Sequence, residues 1–198
     1  MPGYADVVSQ RCAHPSARQR LGNDTEVLSD LAAASLLLPT AHFAWDLFAA
    51  SFGLDTVTKL ADTYEASLHA TAYRFVRFWP EPVLLAVLEP GLRKAERDNP
   101  SAQPKLRVRS VYSNSGWPYI PRNKSAAEGG PLHRAWQGEL IRERSDLNDL
   151  DVPTPWRLEL SAGVFPYMDA AGQLRKRVLA LYRQLPQAAS VRLAGAST

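Results

Sequence analysis

The 198-residue sequence has a single cysteine, Cys12, so no internal disulfide can form. That usage fits a reducing cytoplasm, and a lone thiol near the N-terminus reads as incidental rather than catalytic. There is no run of about 18 apolar residues, so no membrane span is expected. No basic segment followed by an apolar core opens the chain, so no secretory signal is expected. Nothing repeats at solenoid periods. Neither sign of charge dominates: 23 Lys and Arg face 20 Asp and Glu, a net of +3. That mild excess permits nucleic-acid contact without arguing for it. The histidines are His14, His42, His69 and His133; none is followed by glutamate and no two stand at i, i+4.

Apolar residues make up 45% and charged residues 22%, the balance of an ordinary soluble globular protein, and the length suits one large or two small domains. The fifteen prolines largely separate helical patterns. Residues 1–22 read as irregular, with a small positive cluster at Arg11, Arg18 and Arg20. His14 precedes a proline and reads as a solvated loop residue. From Thr25 to Leu38 the pattern is one helix, apolar on nearly all sides from Leu31 to Leu38 and closed by Pro39. Such a helix belongs inside a larger domain, yet little chain precedes it. Its single early carboxylate is Glu26.

A second helix is expected over about 40–52, with Thr40 as cap, Gly53 as its terminating residue, and Phe43, Leu47 and Phe48 on one aromatic-rich face. Two short helices follow, 57–64 and 67–78, with helix-turn-helix rhythm. Ala61 allows close approach, Ser67 caps the second helix, and Glu65 takes the turn position where glycine is commonest. His69, Thr71, Arg74 and Arg77 are placed to reach phosphates; the competing reading is a helical hairpin that only packs the domain. Val83–Leu88 fits a strand or a short buried helix. Residues 91–104 are polar and proline-bounded, and read as a linker.

Beyond the linker the period changes to two. Strands are expected over 106–112, 139–144, 156–167 and 173–183, with a long loop at 116–130, a short helix at 131–138 and a turn at Gly172. Trp117, Tyr119, Trp136, Trp156, Phe165 and Tyr167 serve either a core or the walls of a ligand site. Arg175-Lys176-Arg177 reads as a solvated hairpin end. The tail from 187 is small and polar, and is expected to be disordered. The fold class is α+β, with an all-helical first part followed by an antiparallel sheet domain.

The run Glu26-x-x-Ser29-Asp30-x-Ala32-Ala33-Ala34-x-Leu36-Leu37-Leu38-Pro39 resembles a segment of the ImmA/IrrE metallopeptidases. Ser67-x-x-Ala70-x-x-Tyr73-Arg74-Phe75 resembles that family's next signature, and Pro80-x-Pro82-Val83 through Pro90-Gly91 continues it. Gly130-Pro131-Leu132-x-x-Ala135-x-x-Gly138-Glu139 and Arg177-Val178-Leu179-Ala180-Leu181 are similar to the GAF-like domain of the radiation-response branch, IrrE or PprI. The resemblance implies a remnant of a zincin-like metallopeptidase domain at 1–39 and a helix-turn-helix domain at 40–90. It implies a linker at 91–104, a GAF-like domain at 105–186 and a tail at 187–198.

It further implies a zinc endopeptidase that cleaves a helix-turn-helix transcriptional repressor in the DNA-damage or stress response. Such chemistry needs H-E-x-x-H on a helix, two histidines on zinc and a glutamate as base. Glu26 stands at the third-ligand position, but the motif that would supply its partners is absent. About three protein ligands are needed for a catalytic zinc, so this chain alone is expected to bind none and to be inactive. The chain is then the C-terminal part of a longer peptidase, or a pseudo-protease. As a pseudo-protease it is a non-enzymatic transcriptional regulator that binds DNA or a repressor through His69, Arg74 and Arg77 and senses through its GAF-like half.

Overall fold

The computed structural model describes residues 39–169 and 171–186. The helix expected over 25–38, with Glu26, Cys12, His14 and the tail from 187, lies outside the described residues.

Three helices lead: α1 (Thr40–Phe48), α2 (Leu54–Thr63) and α3 (Leu68–Phe78). A five-stranded antiparallel sheet follows, made of β1 (Val83–Gly91), β2 (Lys105–Ser113), β3 (Ile141–Ser145), β4 (Leu158–Met168) and β5 (Leu174–Gln184), with α4 (Pro131–Trp136) between β2 and β3. The strand order is β2-β1-β5-β4-β3. The architecture is α+β, as the change of period at residue 105 predicts.

Val83–Leu88 is a strand, buried along its whole length because it has neighbours on both edges and cover on both faces. It pairs with β2 from Leu84↔Ser113 to Gly91↔Lys105, and with β5 from Val83↔Arg183 to Leu88↔Val178. Residues 91–104, expected to be a linker between domains, therefore connect two adjacent strands of one sheet. The helical segment and the sheet share β1 rather than meeting at a boundary near residue 90.

Each sheet face has its own core. Odd residues of β1 (Val83, Leu85, Val87) and Leu179 and Leu181 of β5 pack against Phe43, Phe52, Val57, Phe75 and Trp79 beneath α1–α3. Even residues (Leu84, Ala86, Leu88), with Leu160, Ala180 and Tyr182, pack beneath α4 and the loops through Leu132, Leu147 and Leu150. The alternation follows from the two-residue side-chain period of a strand.

Several local expectations change. α1 ends at Phe48, and Gly53 starts α2 instead of ending the helix before it. Gly53 has φ +145°, and a Cβ there would meet Ser161 Oγ at 3.4 Å, so glycine lets the chain turn down onto β4. The Leu54 N–H donates to that same Ser161 Oγ at 3.0 Å. Thr40 is not the cap of α1, since Pro39 occupies that position. Phe48, expected on the apolar face of α1, points outward at 90% exposure, as does Trp45 at 78%, while Phe43 and Leu47 are buried. Gly172, at φ +73°, turns the β4–β5 hairpin as expected.

Candidate functional site

The α2–α3 hairpin has the local chemistry of a tight helix turn. Ala66 N–H donates to Ala61 C=O at 3.0 Å and Glu65 N–H to Asp62 C=O at 3.3 Å, the paired bonds of a Schellman ending. Glu65 takes φ +50° at the position glycine usually fills. Ser67 Oγ accepts from Ala70 N–H at 3.2 Å and caps α3, as the sequence predicts.

The face that α3 presents is another matter. A recognition helix must offer a row of side chains, mostly near its N-terminus, to base edges. In α3, Thr71, Ala72, Arg74, Phe75 and Val76 are buried. Arg74 turns inward: its guanidinium donates to Thr40 Oγ1 at 2.8 Å and lies 5.1 Å from the centre of the Phe78 ring. Burial, and then the neighbouring Arg77, lower its pKa. As placed, Arg74 ties α3 to α1 and is not aimed at a phosphate. Arg77 is exposed, and Tyr73, four residues earlier, shares its stripe while meeting Tyr112 of β2 edge-on at 4.9 Å.

His69 is half-buried against Tyr112 at 5.9 Å, with no hydrogen-bond partner on Nε2. Burial lowers its pKa first and Arg177 lowers it further, against a smaller upward push from Glu89. Its neighbours are thus not Arg74 and Arg77 but a polar cluster on the sheet. There Glu89 of β1 faces Arg109 Nε at 3.4 Å and Arg177 Nε at 3.7 Å, and the Arg177 guanidinium lies 3.3 Å from the centre of the Tyr167 ring. Two arginines around one carboxylate leave the cluster net positive. Arg177, expected at a solvated hairpin end, has only 15% of its side chain exposed. The cluster had a signal in the sequence: Glu89 continues the series Val83, Leu85, Val87 on the helix side of β1.

A second buried polar pair lies on the opposite face. The Tyr182 hydroxyl donates to Asp149 Oδ2 at 3.2 Å, and Asp149 Oδ1 has no partner. Burial raises the Asp149 pKa to about 6, against the pull of the Tyr182 hydrogen bond. Nothing in the sequence marked Asp149, which sits in a polar turn region like its neighbours Asp146 and Asp151.

The zinc implied by the resemblance finds no donor set among the described residues, where no three His, Cys, Asp or Glu side chains converge. His42, His69 and His133 stand on three different helices, α1, α3 and α4. Among the described residues no helix is long and apolar enough to cross a membrane.

No known family model matches the chain, and no curated protein matches it by sequence. Among solved structures, it is similar to a Mycobacterium tuberculosis transcriptional regulator, with a TM-score of 0.54 at 13% identity over 92% of this chain and 52% of that chain. The chain therefore spans about half the length of that protein, and what the two share is the fold.

Proposed function

We propose that the chain is a non-enzymatic regulatory module that acts by binding another protein, with the α2–α3 hairpin as scaffold rather than DNA reader. The observation that carries this reading is the burial of α3. Its Ala72, Phe75 and Val76 form the core against the sheet, and Arg74 is held by Thr40. Within α3 only Tyr73 and Arg77 are exposed, and Tyr73 meets Tyr112 of β2, so the face left for a groove lacks the row of side chains that base reading needs. The likeness to half of a transcriptional regulator supports the regulatory setting. The GAF-like reading of the sheet belongs to this proposal, supported by five antiparallel strands with helices over one face and loops with α4 over the other.

The test is titration of the chain with labelled duplex DNA at low and moderate salt. The expected result is no binding beyond a weak electrostatic background, unchanged by Arg77→Ala. Salt-dependent duplex binding abolished by Arg77→Ala overturns the reading and restores the hairpin as a DNA contact.

A second reading keeps the peptidase family. It is supported by the run from Glu26 to Pro39, which directly precedes α1. On this reading the chain is the C-terminal part of a zinc endopeptidase that cleaves a helix-turn-helix repressor. Zinc content and repressor cleavage, compared between this chain and one extended upstream, separate the two: zinc and cleavage only in the extended chain support the peptidase.

A further inference from the structure

The outer edge of β2 leaves backbone unpaired. β2 closes one side of the sheet. The loop after it covers only its first half: Val108 N–H donates to Lys124 C=O at 2.9 Å, Asn123 N–H to Val108 C=O at 2.8 Å and Ala126 N–H to Leu106 C=O at 2.9 Å. Past Val108 no backbone bond joins this loop to the strand among the described residues. The register shift opposite Val87 and Leu88 falls at the same place. From there the loop stands off, and a cavity of about 430 Å³ opens between residues 110–113 and the segment holding Trp117, Tyr119, Ile120 and Arg122. It continues into a second cavity of about 440 Å³, which shares Ser110 and Arg122 and adds Arg97, Arg109 and Asn123.

The groove has two chemical ends. At one, Trp117 is fixed edge-on against Trp156 at 5.4 Å, and Tyr119 stands 83% exposed. At the other, three arginines converge. Among the described residues no carboxylate lies within the 4.0 Å ion-pair distance of Arg97 or Arg122, and Arg109 has 63% of its side chain exposed despite its contact with Glu89. The nearby Glu96 is already held by Arg107 at 2.9 Å.

We propose that this groove binds an extended acidic peptide segment of another protein, which adds as a sixth strand along β2. It seats an apolar side chain on Trp117 and Tyr119 and places carboxylates on Arg97, Arg109 and Arg122. The inference deepens the proposed function, since it rests on reading the chain as a protein-binding module. A strand edge offers alternating N–H and C=O groups that another backbone satisfies and a phosphodiester chain does not. The positive edge also selects its partner. Two copies of it repel, which guards against edge-to-edge self-association, while an acidic strand is drawn in.

The test uses the full 198-residue chain and a fluorescein-labelled octapeptide alternating glutamate with leucine and phenylalanine, read by fluorescence anisotropy. Saturable binding that weakens with salt is expected. Arg97→Ala, Arg109→Ala and Arg122→Ala should each weaken it about threefold, and the triple variant about thirtyfold, at roughly 0.7 kcal/mol per exposed ion pair. N-methylation of alternate peptide nitrogens should abolish a large part of the binding for one set of nitrogens and not the other, because strand addition uses every second N–H. Circular dichroism of the triple variant should be unchanged, since these arginines are exposed. Equal binding of both N-methylated peptides, indifference to the triple substitution, or tighter arginine-dependent binding of a single-stranded oligonucleotide overturns the proposal. The two failures are distinguishable, because the duplex-DNA test of the proposed function reads Arg77 of α3 and this one reads Arg97, Arg109 and Arg122 beside β2.

Discussion

The two faces of the sheet are filled in different ways. Under α1–α3 the core is aromatic: Phe75 stacks on Trp79 at 4.7 Å, Phe52 meets both, and Phe43 meets Tyr64 and Phe78. Under α4 and the loops the buried side chains are mainly aliphatic, and this face also holds Tyr182 and the carboxyl of Asp149. The cover explains the difference. Regular helices satisfy their own backbone and can offer large rings on one stripe. Irregular cover brings backbone polar groups inward and must pair them, as when Ala127 N–H donates to Asp149 C=O at 2.7 Å. A buried acid accompanies the loop-covered face because that face already handles polar groups.

Six substitutions break or sharpen this contrast. Phe75→Ala has the largest expected effect, a loss of about 4 kcal/mol in urea-unfolding free energy, because a fully buried ring in a close-packed aromatic cluster leaves a cavity that rigid neighbours cannot close. Leu160→Ala on the other face should cost about 3 kcal/mol, less because fewer atoms are removed and the loop cover can settle. If Leu160→Ala costs more, loop cover is as unyielding as helix cover.

Asp149→Asn tests the buried acid. The pKa of Asp149 in the fold lies above its ordinary value of 3.8, at about 6. Its contribution to stability is therefore full below pH 3.8 and is lost as pH rises to about 6. The asparagine variant keeps an acceptor for Tyr182 but cannot ionise. Its stability relative to the parent should rise across that window by roughly 2–3 kcal/mol and then level off. Urea midpoints at pH 4, 5, 6 and 7 measure it, and a flat difference removes the burial argument. His69 acts in the opposite sense. Its lowered pKa gives stability that is present above pH 6.5 and declines as pH falls below it, so a His69→Gln background should isolate the Asp149 effect.

The smallest effects separate two arginines of α3. Arg74→Ala should cost about 1–2 kcal/mol through the lost Thr40 bond and Phe78 contact. Arg77→Ala should stay within about 0.5 kcal/mol, as an exposed surface change. Equal costs, measured by thermal unfolding, would mean that Arg74 is not an anchor.

Much of the fold was legible in the sequence. The two-residue alternation Leu106, Val108, Arg107, Arg109 marked β2, and Gly130-Pro131 marked the start of α4. Ser67 marked the cap of α3. The site was less legible. His69, Arg74 and Arg77 lie close in sequence on one helix and suggest a common surface, but a helix distributes neighbouring residues around its axis, and here one is buried, one half-buried and one exposed. The partners that define their surroundings, Thr40, Tyr112, Glu89 and Arg177, come from distant segments and carry no local mark.

Among the described residues, the sequence by itself determined most of what is helix and what is strand, because periodicity, caps and turn residues act within a few positions. It left Val83–Leu88 open between the two. Only the tertiary structure decided that this run is a strand between β2 and β5, since an apolar run with cover on both faces has no period to read. The same placement fastens the helical hairpin to the sheet and turns α3 inward. It also leaves β2 at the rim, where, among the described residues, the half of its edge past Val108 makes no backbone bond to the following loop and the arginines beside it, Arg97, Arg109 and Arg122, are exposed.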